Sequence, residues 1–376
     1  MIKNLLAFLS GCLNFSAIFR FPLTVFIGAI DGTGAYPSMI DVVSTLDPQG
    51  NTAAIVELLQ QKNPILNDMP WVEGNTNLGH QVNVRTGLPI ATWTSWYQGV
   101  PATKSTYAKV MEACAMMEQR TEIDKRAADF NGNSATFRLK EMLGSIEGLN
   151  QALSTALFYG DSTINPQQFN GLTPRFNSLS AGNGGNIIDA KGVGANLTSI
   201  WFIGWSGMTV HGIFPKGQKG GLQREDLGTF DAFDASRNRF RAVGDLLQWN
   251  CGLAVEDWRY IVRIANVDMT ALKTQQGQAD LIELMTLALH LPPEVGESRS
   301  GLSPSTSNGA APTLMMPNPV FYCTRKVAAM LDIQSQVKSG FTLKSGSDVF
   351  GRPVTSIRGV PIRSCDALIE TEAQVV

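Results

Sequence analysis

The residues best suited to catalysis or phosphate binding occur in three glycine-containing stretches of the 376-residue chain. The stretch that begins at Gly204 resembles the nucleophile elbow of a hydrolase, but Met208 stands where that motif needs glycine. A second stretch resembles a phosphate-binding loop, but Gln218 occupies the position of the lysine that binds the phosphates. Near Gly182, Ile187 replaces the third glycine of a dinucleotide-binding turn. Because each motif fails at a residue that its chemistry requires, the sequence predicts that the protein is not an enzyme.

Residues that bind metals or transfer protons are also dispersed. His80, His211 and His290 are too far apart for a helical histidine pair, so no metal ligand and no cofactor are expected. Carboxylates such as Glu256 and Asp257 are adjacent, and adjacent residues of a strand point to opposite faces, which does not suit joint acid and base catalysis. The five cysteines are widely spaced and odd in number, which favours a reducing compartment over a disulfide scaffold.

Three aromatic side chains are candidates for a binding surface. Trp93, Trp96 and Tyr97 lie in a turn-rich segment between two extended arms, and an isolated hairpin has little core to cover them. Exposed aromatic residues grouped in this way are typical of protein contact surfaces. The alternative, that they fold back onto their own domain, remains open at this point.

An alternating series of arginines is the second candidate surface. Arg237, Arg239 and Arg241 fall at every other position and would line one face of a strand. A solvated face and ion pairs to a neighbouring subunit are both compatible with this pattern, whereas a phosphate site is disfavoured because nothing indicates a pocket. The formal net charge is −2, so any contact with DNA must be local or passive.

The elements that carry these residues form an irregular mixture of helices and strands. An extended hairpin is predicted over residues 78–113, and an amphipathic helix over residues 134–159, where apolar residues recur every three or four positions. Gly144 and Gly148 in that helix are expected to pack against another backbone. Charged residues make up only 16% of the chain, and 36 glycines and 18 prolines indicate many turns. The predicted fold class is α+β.

The later part of the chain is predicted to contain a second hairpin and two helices. Residues 196–267 have a strand-like pattern, with a long hairpin turned at Asn250-Cys251-Gly252. Helices are predicted for residues 278–291 and 325–336, with a buried strand starting at Asn318 before the second helix and one or two short strands in the tail.

The first 32 residues are almost entirely apolar, and they allow several interpretations. Neither half of the segment reaches the roughly 20 residues that span a bilayer, so no membrane association is expected. A signal peptide would make the protein a secreted, β-rich surface or adhesion protein. The other interpretations are an apolar arm that packs on another subunit and an extended gene start.

The order of elements, from about Gly34 to the end, resembles the major capsid protein of tailed bacteriophages, whose fold is shared with herpesvirus capsids. Four short motifs carry most of the resemblance. They are Tyr159-Gly160-Asp161 followed by Phe169-Asn170-Gly171-Leu172, Asn318-Pro319, Gly351-Arg352-Pro353-Val354, and Val360-Pro361-Ile362.

This resemblance implies an N-terminal arm over residues 33–77 and an E-loop hairpin over 78–113 that lies on a neighbouring subunit through Trp93, Trp96 and Tyr97. It also implies a peripheral domain over 114–200 containing the spine helix 134–159, a strand-rich region over 201–267, an axial domain over 268–337 and closing strands over 338–376. Pentamers and hexamers would close into an icosahedral shell around double-stranded DNA.

The same resemblance implies the partners and the location of the protein. Scaffold, portal and decoration proteins and packaged DNA, bound without sequence specificity, would be its partners besides other copies of itself. Assembly would occur in the cytoplasm of the host bacterium, and the product would be the virion. An enzyme with an unrecognised site remains the second rival, after the adhesion protein.

Overall fold

The computed structural model describes residues 60–129, 134–233, 237–274, 279–293, 318–338 and 356–376. The apolar extension of residues 1–32, the first part of the predicted arm and the motif that begins at Gly351 lie outside the described residues. The described chain divides into two compact units. The larger contains residues 60–119, 144–224 and the described residues from 247 onwards, and the smaller contains the described residues of 120–143 and 225–246.

The described residues form thirteen strands and six α-helices. The strands are β1 (Trp71–Glu73), β2 (Gly79–Gly87), β3 (Thr106–Ala113), β4 (Ala115–Asp124), β5 (Ile187–Asp189), β6 (Leu197–Trp205), β7 (Val210–Phe214), β8 (Leu222–Phe233), β9 (Arg239–Val255), β10 (Ile261–Asp268), β11 (Asn318–Cys323), β12 (Ser356–Ile357) and β13 (Val360–Ser364). The helices are α1 (Ile65–Asp68), α2 (Lys125–Asp129), α3 (Ser134–Tyr159), α4 (Met269–Thr274), α5 (Leu281–His290) and α6 (Arg325–Lys338). No described helix combines the length and the apolar character that crossing a membrane requires.

Strand β6 is the centre of the larger unit, and all of its residues are buried. It pairs antiparallel with β10 and with β11. Trp201 and Ile203 belong to the core that includes the second half of α3, whereas Ile200 and Phe202 pack in the core that includes α5 and α6. Helices therefore cover both faces of this part of the sheet, which explains why the strand is predominantly apolar rather than alternating.

The smaller unit has a separate small core and a partly buried ion pair. Ile123, Ala128 and Phe137 pack together there. The Arg138 guanidinium donates hydrogen bonds to Asp245 at 2.9 Å and 3.1 Å. Strands β4 and β8 both pair with β9. The unit is thus held by apolar contacts and by an arginine that joins α3 to β9.

The C-terminal end of α3 is closed by the glycine motif that follows it. The Gly160 N–H donates to the Ala156 carbonyl at 2.8 Å, and the Gly171 N–H donates to the Gly160 carbonyl at 2.8 Å. The Leu172 N–H donates to the Leu157 carbonyl at 3.0 Å. A Cβ atom on Gly171 would lie 2.5 Å from the Ala156 oxygen, closer than real Cβ contacts allow. Glycine is therefore required for the turn to approach the last carbonyls of the helix.

Replacing Gly171 with alanine is expected to lower the free energy of unfolding by about 1–3 kcal/mol, because the backbone on both sides must shift. Urea unfolding of the unassembled subunit measures the change. Gly185→Ala is the control, since a Cβ at that glycine meets no atom within 4 Å. The control should change the free energy by less than about 0.5 kcal/mol. Equal stability of the two variants would contradict the argument.

The predicted hairpin turned at Asn250-Cys251-Gly252 is wrong. Strand β9 runs through these residues without interruption, and it pairs with the preceding strand β8. Strand β9 ends at Val255, and a short 3₁₀ turn over Trp258–Tyr260 then leads into β10. A Cβ on Gly252 would lie 2.8 Å from the carbonyl oxygen of Ala113. This glycine therefore permits a close approach of neighbouring backbone within the sheet, and it does not form a turn.

The predicted apolar stripe of α3 is buried only in part. Leu153 is fully buried, but Leu139 and Leu143 are 50% and 54% exposed. A Cβ on Gly144 would meet no described atom within 4 Å, and the nearest atom to one on Gly148 belongs to a side chain. The backbone that was expected to pack on these glycines is therefore absent from the described part of the chain.

Candidate subunit-contact hairpin

Strands β2 and β3 form a two-stranded antiparallel sheet of their own. The register runs from Gly79 opposite Ala113 to Gly87 opposite Thr106. At about 3.4 Å per residue, β2 extends about 30 Å. Residues 88–105 contain neither helix nor strand and form the tip. The structure thus contains the hairpin that the sequence predicts, and among the described strands only β2 and β3 form its ladder.

Polar contacts close the base of this hairpin and hold it to the rest of the larger unit. Glu112 accepts two hydrogen bonds from the Arg175 guanidinium, at 2.5 Å and 2.7 Å. The Cys114 N–H donates to the Leu78 carbonyl at 2.9 Å. Glu112 is almost fully buried, and a two-pronged arginine contact of this kind restricts orientation as well as distance. The Arg175–Glu112 contact therefore restricts the orientation of the hairpin base relative to the 3₁₀ turn at residues 173–175.

The tip of the hairpin leaves its aromatic side chains uncovered. The exposed fractions of Trp93, Trp96 and Tyr97 are 99%, 92% and 105%. A backbone hydrogen bond of 3.2 Å from the Gln98 N–H to the Ser95 carbonyl closes a turn around two of them. Tyr97 has φ of 67°, a left-handed conformation that a bulky residue rarely adopts. No described residue of this chain covers the three rings, which favours the interpretation as a contact surface over the alternative that they fold back onto their own domain.

The three predicted arginines do not all lie on the strand. Arg237 precedes β9 and has φ of 63°, whereas Arg239 and Arg241 are exposed residues of β9. The Arg239 guanidinium lies 5.5 Å from the centre of the Phe233 ring. Among the described residues, Arg237 and Arg241 have no ion-pair partner. The alternating face of the strand thus contains two arginines. Their ion pairing with another subunit stays a prediction.

Two histidines that are distant in sequence lie together beside the hairpin base. The rings of His80 and His211 are 5.6 Å apart and nearly perpendicular, and Glu256 lies 3.1 Å from His80 Nε2. Burial is the main cause that lowers the pKa of His211 to about 4, and electrostatic repulsion from His80 adds to it. His290 lies elsewhere, at the end of α5. The sequence spacing argues only against a helical histidine pair; in the fold, β2 and β7 bring His80 and His211 together, and Glu256 joins them from the end of β9.

A buried ion pair that the sequence did not indicate holds the C-terminal segment. Arg263 of β10 donates to Glu372 at 2.7 Å, and both side chains are almost fully buried. The Tyr159 hydroxyl donates to the same carboxylate at 2.6 Å, and Ser199 also donates to it. Burial is the main cause that raises the pKa of Tyr159, and the negative charge of Glu372 raises it further. The hydroxyl therefore keeps its proton and remains a hydrogen-bond donor. The network joins the end of α3, the central sheet and the C-terminal segment.

The four described cysteines are free thiols. Burial raises the pKa of Cys114 to about 11, and burial is also the main reason that the pKa values of Cys251, Cys323 and Cys365 rise to about 12. Because the thiolate is the reactive form, these cysteines are held in their unreactive state at neutral pH.

Comparison with known proteins gives a family match over most of the chain and several structural matches. The sequence profile of the family described as major capsid protein GP7 matches residues 47–376. A chain of the bacteriophage Epsilon15 structure is 30% identical, with a TM-score of 0.70, and the alignment covers 90% of this chain and 97% of that chain.

Other solved structures are less similar. The capsid of the native GTA particle is 11% identical over 59% of this chain and 95% of its own, with a TM-score of 0.42. The capsid of bacteriophage JBD30 is 8% identical over 86% of this chain and 99% of its own, with a TM-score of 0.43. Among curated protein sequences, none matches the chain.

Proposed function

Because this chain belongs to the major capsid protein GP7 family, we propose that its copies assemble through pentamers and hexamers into an icosahedral shell that encloses double-stranded DNA. The family membership agrees with the sequence resemblance to major capsid proteins of tailed bacteriophages, and the fold is the α+β fold of a phage capsid protein. The observation that carries the proposal is the hairpin of residues 79–113, with its anchored base and uncovered aromatic tip.

A two-stranded hairpin that stands alone is marginally stable in water. This hairpin nevertheless carries Trp93, Trp96 and Tyr97 almost fully exposed to solvent, where large aromatic residues contribute nothing to the stability of their own chain. Tryptophan and tyrosine are the residues most enriched among those that dominate the energy of protein interfaces. A neighbouring copy of the chain is the partner that covers this tip, and the hairpin then acts as the E-loop of the family.

The other parts of the chain take the roles that the resemblance assigns. The arm is residues 33–77, the spine helix is 134–159 within the peripheral domain, and the axial domain is 268–337. Arg237, Arg239 and Arg241 form ion pairs with a neighbouring subunit, which their exposure permits. Exposed pairs of this kind are individually weak, so they set orientation more than strength.

The remaining partners follow from the same role. Scaffold, portal and decoration proteins bind the shell during or after assembly in the host cytoplasm, and the shell becomes part of the virion. The inner surface contacts packaged DNA without reading its sequence. Because the formal net charge is −2 per chain, this contact is passive or confined to local basic groups.

Sedimentation and negative-stain electron microscopy of the purified protein test the proposal. We expect closed particles tens of nanometres across, together with pentamers or hexamers under conditions that dissociate them. A species that remains a monomer or a dimer at all protein and salt concentrations, with native circular dichroism, would overturn the proposal.

A further inference from the structure

The cluster of His80, His211 and Glu256 lies where β7 and β9 of the main sheet meet the hairpin base. His80 is in β2, His211 is in β7, and Glu256 follows β9 directly. The register of β7 and β9 places His211 opposite Ala254, and the Glu256 N–H donates to the Thr209 carbonyl at 2.8 Å. Backbone pairing therefore fixes where the histidine and the glutamate lie relative to each other.

The spacing of the three side chains suits a metal ion. One ligand atom from each residue lies within 4.8 Å of the other two, and His80 Nε2 lies 3.1 Å from the Glu256 carboxylate. In a tetrahedral zinc site with bonds of 2.0–2.2 Å, ligand atoms are about 3.3 Å apart. One pair of atoms is thus already at ligand spacing, and small side-chain rotations bring the third to the same distance.

The buried imidazole of His211 has unmet bonding capacity. The residue is fully buried, and neither of its ring nitrogens makes a well-formed hydrogen bond with a described group, although the Ser206 backbone interacts with the ring. Buried polar atoms in native proteins are nearly always paired, so this buried ring requires a reason, which a metal ion bound to one of its nitrogens supplies. A neutral imidazole is also the form of histidine that binds metals.

We propose that His80, His211 and Glu256 bind a divalent transition-metal ion, for which Zn²⁺ is the best fit, with water as the fourth ligand. Two imidazole nitrogens and one carboxylate form a common zinc ligand set. Magnesium and calcium prefer oxygen ligands throughout, which this cluster does not offer. Because His80 belongs to the hairpin and the other two ligands belong to the main sheet, the ion joins the hairpin base to the body.

The test measures metal bound by the purified full-length protein after chelator treatment and reconstitution. We expect about one zinc ion per chain by mass spectrometry of the metal content, and tetrahedral absorption bands when Co²⁺ replaces zinc. Glu256→Gln and His80→Asn should each weaken Zn²⁺ binding at least about tenfold, and His211→Asn should weaken it further. His290→Gln is the matched control and should bind as the unchanged protein does.

Two results would overturn the proposal. One is less than about 0.1 zinc ion per chain in the unchanged protein at micromolar zinc. The other is equal binding by the unchanged protein and the Glu256→Gln and His80→Asn variants. His80 and Glu256 are partly exposed, so these variants are expected to fold, and circular dichroism verifies this. The Glu256→Gln and His80→Asn variants therefore test the metal site even when His211→Asn does not fold.

Discussion

Replacing both Trp93 and Trp96 with serine is expected to abolish shell assembly while leaving the subunit folded. The two side chains make no contribution to the core of their own chain, because they are 99% and 92% exposed. At an interface, a central tryptophan contributes about 2 kcal/mol or more, so losing two weakens each contact by roughly a thousandfold. Negative-stain microscopy and sedimentation measure assembly, and thermal unfolding of the unassembled subunit measures folding.

Thr94→Ser is the matched control for this experiment, since Thr94 lies between the two tryptophans and is exposed as well. The control should assemble normally. Normal particles from the Trp93→Ser/Trp96→Ser protein would show that the hairpin tip does not hold neighbouring subunits together. A large loss of subunit stability in that variant would show that the rings are packed within their own chain.

Replacing Glu372 with glutamine is expected to lower the free energy of unfolding by about 3–5 kcal/mol, because it leaves the buried Arg263 without its counter-charge. The cation cannot move into water, since it is enclosed by the Trp201 ring, whose centre is 5.1 Å away, and by the Phe176 carbonyl, which accepts from it at 2.6 Å. In the native protein the Tyr159 and Ser199 hydroxyls both donate to the Glu372 carboxylate. The NH₂ group of a glutamine cannot accept a hydrogen bond, so one of these donors loses its acceptor. Urea unfolding of the unassembled subunit measures the loss.

Glu370→Gln is the control, because Glu370 pairs with Lys326 at the surface, two positions from Glu372. Exposed pairs contribute about 0–1 kcal/mol, so this variant should be nearly as stable as the unchanged protein. Adding Arg263→Met to Glu372→Gln should restore part of the loss, since it removes the uncompensated charge. Equal stability of the Glu370 and Glu372 variants would contradict the role of the buried pair.

The pattern of residues within one segment was sufficient to predict those helices and strands whose signal lies in their own residues. The helix over residues 134–159 was predicted from its apolar periodicity, and α3 has these bounds. The hairpin was predicted from two extended arms around a glycine- and proline-rich tip, and β2 and β3 pair accordingly. The strand and helix that follow Asn318 were likewise predicted, because a continuous apolar run before an amphipathic segment indicates a buried strand and a surface helix.

The sequence alone therefore determined the α+β class, the hairpin, the long helix and the resemblance to phage capsid proteins, since each depends on residues that are near one another in the chain. Only the tertiary structure decided that β9 continues through Gly252, that His80 meets His211, and that Arg263 pairs with Glu372. These features arise when strands distant in sequence pair side by side. No periodicity within one segment records which other segment will lie beside it, so contacts of this kind become visible only in the folded chain.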